Sequence, residues 1–258
     1  MCTVIFIPAD NKCFFASLRD ENPKRQMAMA PDIYTINDVS ILFPVDPVAG
    51  GTWIGVNEFG NTIILLNGGF EKHLQKKQYR KSRGLIVSEL LTSPKPVTKW
   101  NLMDMDDIEP YTLIAWTGGN LFQLVWDGTN KHSMQLDVGV PYIWSSSTLY
   151  NAEVKAYREE LFQHWIAMNP IVSKRTVLNF LQSFKDNENG FIMNRNDQTK
   201  TVSYSFIKIN YYSFAVMDYH DFLNNSYGCR TINLADDLQR GGMPGYLQNE
   251  PMAYLINK

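Results

Sequence analysis

Short β-branched and aromatic runs recur in pairs along these 258 residues, each pair joined by a few residues of Gly, Asn, Asp or Pro. That pattern confines the chain to sheets built from hairpins. Thr3 to Ile7 and Cys13 to Ser17 flank Pro8-Ala9-Asp10-Asn11-Lys12. Gly50-Gly51-Thr52-Trp53-Ile54-Gly55-Val56-Asn57 and Thr62 to Asn67 flank Glu58-Phe59-Gly60-Asn61. Tyr111 to Thr117, Leu121 to Trp126 and Ser133 to Leu136 read as a meander, the strands of a second, stacked sheet. A strand beginning at Thr199 turns at Asn210-Tyr211 and returns from Phe214 to Tyr219. Asn22 to Pro47 reads as a polar loop with one short strand near Ser40 to Phe43. Helical spacing is predicted for Glu71 to Leu91, for Asn151 to Met168, and from the N-cap Ser173 through Val177, Phe180, Leu181 and Phe184.

A chain of this length accommodates one large layered domain, so residues 1–258 are expected to form a single unit, with 220–258 a C-terminal extension containing the loop Gly241 to Gly245. The formal net charge is -2 and the basic residues are dispersed, which leaves no footprint for nucleic acid or an anionic membrane. The cluster Lys76, Lys77, Arg80, Lys81 and Arg83 reads as a solvated helix face. No stretch approaches the roughly 20 apolar residues of a membrane span. The first apolar run is too short for a secretion signal and lacks a basic flank. A cytoplasmic location is therefore expected.

Cys2, Cys13 and Cys229 suggest neither a disulfide framework nor a zinc knuckle. His73, His132, His164 and His220 lack metal-ligand spacing, and Asp104 to Glu109 lacks the mid-loop glycine of a calcium loop. Gly50-Gly51 is not followed by the Gly-Lys-Ser/Thr of a phosphate loop. No metal and no cofactor are expected.

The chemistry-bearing feature is Met1-Cys2 running straight into a strand. With a small second residue the initiator Met1 is expected to be removed. Cys2 then carries both a thiol and a free α-amine, whose reference pKa of about 7.7 to 8.0 lets it take the thiol's proton near neutral pH. The first hairpin returns Arg19 and Asp20 beside Cys2, since neighbouring strands lie about 4.7 to 4.9 Å apart. A guanidinium there favours the thiolate, and a solvent-accessible carboxylate at the strand's end holds the amine. The alternative is an ordinary small hydrophobe followed by an exposed charged turn.

Met1-Cys2, Arg19-Asp20-Glu21, and Gly50 to Asn57 followed by a strand ending at Asn67 resemble the NRDE family, also called the transport and Golgi organisation protein 2 family. Ser82-Arg83-Gly84 matches a further segment. That family is similar in turn to the cysteine N-terminal-nucleophile hydrolases, such as choloylglycine and penicillin V hydrolases. The resemblance implies an α+β fold, a four-layer αββα sandwich of two stacked, mainly antiparallel sheets. It implies Cys2 as nucleophile, Arg19 and Asp20 as its polar partners, Asn67 as oxyanion donor, Lys200 as a basic residue, and Trp53 and Ser146 as substrate-binding residues. Leu18 stands where the family has Asn, and Ser146 where the related hydrolases have Asn. The activity implied is hydrolysis of a small amide or acyl conjugate. The alternative is a non-catalytic binder of an apolar ligand, lipid or haem, on the same scaffold.

Overall fold

The computed structural model describes residues 2–184, 186–211 and 213–235. Along the chain run β1 (Cys2–Ala9), β2 (Lys12–Glu21), β3 (Met29–Ile36), β4 (Val39–Val45), β5 (Ile54–Asn57) and β6 (Thr62–Asn67). Two helices follow, α1 (Arg83–Leu91) and α2 (Pro96–Leu102), then β7 (Tyr111–Thr117), β8 (Asn120–Trp126), β9 (Lys131–Leu136) and β10 (Tyr142–Ser145). The remainder is α3 (Ala152–Met168), α4 (Lys174–Ser183), β11 (Asn194–Arg195), β12 (Thr199–Asn210), β13 (Phe214–Asp221) and β14 (Ser226–Asn233).

Two antiparallel sheets result. The first is ordered β10-β1-β2-β12-β13-β14 with β11 beside β12, and the second is a meander from β3 through β4, β5, β6, β7 and β8 to β9. Alternation along each strand sends Val4, Phe6, Cys13 and Phe15 into the space between the sheets, where Phe6 and Phe15 meet Trp116 at 5.9 and 6.4 Å between ring centroids. Ile5, Ile7, Phe14, Ala16 and Leu18 take the opposite face and pack under Phe162, Val177, Phe180 and Leu181 of α3 and α4. On the far face of the second sheet α1 lies so close that a Cβ on Gly55 would stand 2.5 Å from Leu91. The layers are thus helix, sheet, sheet, helix, the sandwich that the resemblance implies. Among the described residues no helix is long and apolar enough to cross a membrane.

Three local expectations change. Helix begins at Arg83, capped by the Ser82 side chain, and not at Glu71, because the apolar residues that can be buried at helical spacing, Ile86, Val87, Leu90 and Leu91, all follow Arg83, while Leu74 is exposed. The 22–47 segment holds β3 as well as β4, and β14 extends the first sheet to Asn233. Of the expected C-terminal extension, residues 236–258, with the loop Gly241 to Gly245, lie outside the described residues.

Candidate active site

The β1–β2 ladder sets Cys2 opposite Arg19 and Thr3 opposite Leu18, so the two polar residues that follow Leu18 arrive where the chain begins. Alternation then separates them. Arg19 shares the face of Cys13 and Phe15 and opens into a cleft of ≈ 630 Å³, while Asp20 shares the face of Phe14, Ala16 and Leu18 and looks toward α3. Asp20 is fully buried, which corrects the expectation of an accessible carboxylate. The reason is length: β2 continues past Ser17 to Glu21 and is flanked by β12 as far as Lys200.

In the cleft the Arg19 guanidinium lies 4.5 Å over the Trp53 ring and donates through Nη2 to Asp46 Oδ2 at 2.7 Å. Arg25 donates to the same carboxylate, Nε to Oδ2 at 3.0 Å and Nη2 to Oδ1 at 3.2 Å. Asp46 Oδ1 also accepts the backbone N–H groups of Val48 and Ala49 at 3.0 and 3.2 Å. Partial burial by itself raises this carboxyl, but the Arg25 hydrogen bond, the Arg19 charge and the Ala49 N–H together hold it below the usual carboxylate range. Asp46 and Arg25 are site residues that the sequence reading missed. Their signal was the Asp46-Pro47 turn just ahead of Gly50-Gly51, an Asx-turn spelling.

The Gly50-Gly51-Thr52-Trp53 run serves close approach. A Cβ on Gly51 would fall 2.3 Å from the Gly84 carbonyl carbon, and Thr52 N donates to Gly84 O at 3.1 Å. This brings Ser82-Arg83-Gly84, at the start of α1, into the cleft wall, where Arg83 pairs with Glu109 at 3.0 Å.

Asn67 ends β6 and lines the same cleft as Arg19 and Trp53. Its carbonyl accepts a 2.6 Å hydrogen bond from Ser146 Oγ, which also lies 2.9 Å from Thr148 Oγ1. Ser146, itself buried, thus holds Asn67 in place. Lys200 is half-buried, opposite Glu21 on β2 and Asn194 on β11. Its neighbour Thr201, which the sequence reading did not single out, donates from Oγ1 to Asp20 Oδ1 at 2.7 Å.

Burial pushes the Asp20 carboxyl up to about 6, against the pull of the Thr201 hydrogen bond and the positive charges of the amino terminus, Arg158 and Arg195. The other thiols are quiet. Burial raises Cys13 far above the ordinary thiol value, and burial followed by the Asp218 charge raises Cys229. Among the described residues no group of three or more His, Cys, Asp or Glu is placed to hold a metal ion. The arrangement offers a cation beside the start of β1 on the cleft side and a titratable carboxyl behind it, a setting that suits thiolate chemistry.

The sequence profile of the family described as Transport and Golgi organisation 2 matches residues 1–235. No curated protein sequence matches the chain significantly. Among solved structures, two mutant forms of a conjugated bile acid hydrolase from Clostridium perfringens superpose with TM-score 0.55 at 10% identity, covering 91% of this chain and 97% and 98% of theirs. A Caenorhabditis elegans ortholog of N-acylethanolamine-hydrolyzing acid amidase superposes with TM-score 0.54 at 9% identity, over 80% of this chain and 92% of its own. At these identities the likeness is one of fold.

Proposed function

We propose that this chain, which belongs to the Transport and Golgi organisation 2 family, is a cysteine N-terminal-nucleophile hydrolase acting on a small amide or acyl conjugate in the cytoplasm. The observation that carries the reading is the ladder pairing of Cys2 with Arg19 at a cleft shared with Trp53 and Asn67. Two structures of similar fold are named as a hydrolase and an amidase, which supports the reaction class.

Removal of Met1 leaves Cys2 with a free amine. The thiol proton passes to that amine and the sulfur attacks the acyl carbon. The oxyanion is received by the Asn67 side chain with backbone N–H groups. Collapse breaks the C–N bond, the leaving nitrogen takes the proton, and a thioester remains. Water then adds to the thioester, the acid departs and the thiol is restored. Arg19 favours the thiolate, Asp20 orients the amine from behind the sheet, and Lys200, across from Glu21, adds positive charge beside that end of β2. Trp53 and Ser146 shape the substrate's seat, Trp53 as wall and Ser146 by fixing Asn67.

The cleft also weighs against the alternative of an apolar-ligand binder. Arg19, Arg25, Asp46, Arg83 and Glu109 line it, and even as mutual pairs so many charged groups lose hydration when an apolar ligand covers them, which is costly. Site-resolved iodoacetamide labelling tests the proposal. Cys2 is expected to react at least about tenfold faster than Cys229 at neutral pH, and Cys13 not at all in the folded protein. Equal rates at Cys2 and Cys229, or an intact mass showing Met1 retained in active protein from its native host, overturns the nucleophile.

A further inference from the structure

Arg158 is the one fully buried arginine among the described residues, 0% exposed, and with Phe162 it makes up the buried stripe of α3. A charge taken wholly out of water is normally paired with a carboxylate. Among the described residues no carboxylate lies within salt-bridge distance of Arg158. Its guanidinium instead stacks on two rings, 4.1 Å from the Tyr150 centroid and 4.7 Å from Phe191, and Nη2 donates to Thr3 Oγ1 at 2.8 Å. Thr3 is the residue after Cys2, on the helix-facing side of β1. The buried carboxylate on that same side is Asp20, which feels the Arg158 charge.

Other groups face Asp20 as well. Thr201 comes from β12, Tyr150 from the segment before α3 and Arg195 from β11, and the charge of the amino terminus acts on Asp20 as well. Of the two arginines, Arg195 is engaged elsewhere, donating to Glu188 O at 2.6 Å and to Leu149 O at 3.3 Å. Arg158 is held by the two rings and by Thr3, and its charge lowers the Asp20 carboxyl.

We propose that Arg158 is a positioning residue for the amino-terminal nucleophile, fixing the first residues of β1 through Thr3 and serving from behind the sheet as counter-charge to the Asp20 carboxylate. The inference rests on the nucleophile reading above and adds a second layer to it. With Arg158 in place Asp20 ionises early enough to hold the amine at neutral pH. Without it Asp20 keeps its proton to higher pH and the amine loses its anchor.

The test is the rate of Cys2 alkylation by iodoacetamide across about pH 5 to 8, read by mass spectrometry beside Cys229 as internal standard, with folding checked by circular dichroism. In the native sequence the Cys2 rate is expected to fall on the acid side as Asp20 protonates. In Arg158→Met that acid limb is expected to move up by about one pH unit, a roughly fivefold loss near pH 6, and Arg158→Lys is expected to restore most of it. A purely structural role for Arg158 leaves the limb where it was, and a folded Arg158→Met protein with an unshifted limb overturns the proposal alone. Native Cys2 reacting no faster than Cys229 overturns the nucleophile reading and this proposal with it. Should Arg158→Met not fold, Thr3→Val decides. It removes the hydrogen bond and keeps the charge, and is expected to slow alkylation about threefold at every pH. An unchanged rate there overturns the proposal.

Discussion

Asp20 and Asp46 attend the same few residues of β1 and β2, yet their surroundings move them in opposite directions. Asp20, raised to about 6 by burial, binds its proton more tightly folded than unfolded, so its contribution to stability falls as pH rises from about 4 to about 6. Asp46, held below the ordinary value, contributes stability above about pH 4 that is lost as pH drops through its folded pKa. Asp20→Asn keeps the Thr201 hydrogen bond and removes the buried charge. It is expected to gain about 1 to 3 kcal/mol at pH 7 and to flatten the slope between pH 4 and 6, measured by urea unfolding at stepped pH. The same variant is expected to alkylate Cys2 about ten- to a hundredfold more slowly. A variant both less stable and fully reactive would mean that the carboxylate serves the core and not the amine. At this scale the sequence marks Cys2, Arg19 and Asp20 as candidates by spelling alone. It did not show their partners, because Asp46 is 27 residues from Arg19, Arg158 is 155 from Thr3 and Thr201 is 181 from Asp20.

Among the elements, the seam between the Gly50-Gly51 loop and α1 is the most exacting. Gly51→Ala would drive a methyl into the Gly84 backbone, which cannot swing aside as a side chain does. A loss of about 1 to 3 kcal/mol is expected, seen as a lower urea midpoint with an unchanged slope. An Ala variant of native stability would show that the two backbones are free to separate. Strands with clear alternation between glycine-rich turns were legible, and α4 was legible through its cap, Ser173. The strands that escaped were those without such marks. β3 is largely exposed, with Asp32 and Pro31 in its middle, and β10 has four residues whose partner strand begins the chain. The stretch from Glu71 to Ser82, expected as helix, has basic residues and no apolar stripe to bury.

Across the whole molecule, the candidate site is divided between the two sheets. Cys2, Arg19 and Asp20 belong to the first and Asn67 to the second, and the bond from Ser146, just past β10, to the Asn67 carbonyl ties one sheet's end to the other's. Ser146→Ala leaves that carbonyl unbonded at the sheet junction. It is expected to cost about 1 to 3 kcal/mol by thermal unfolding and to reduce turnover more than Cys2 alkylation, since it loosens the oxyanion donor and spares the thiol. Equal effects on both readouts would argue that it loosens the sandwich as a whole. The four layers were legible from the hairpin pattern and the resemblance. The division of the site between layers was not, because no local spacing records which sheet a strand will join.

The placement of β1 and β2 also sets a timetable. β1 is closed on one side only when β10 exists, and β2 only when β12 does, so the first hairpin has no complete sheet to join until about residue 210 has been synthesised. At roughly 5 to 20 residues per second, that leaves the start of the chain outside any finished sheet for about 10 to 40 s. A methionine-removing enzyme has that interval in which to work before the terminus is built into the sandwich. Refolding purified chains that retain Met1 offers no such interval, so protein made that way is expected to recover its fold without its nucleophile.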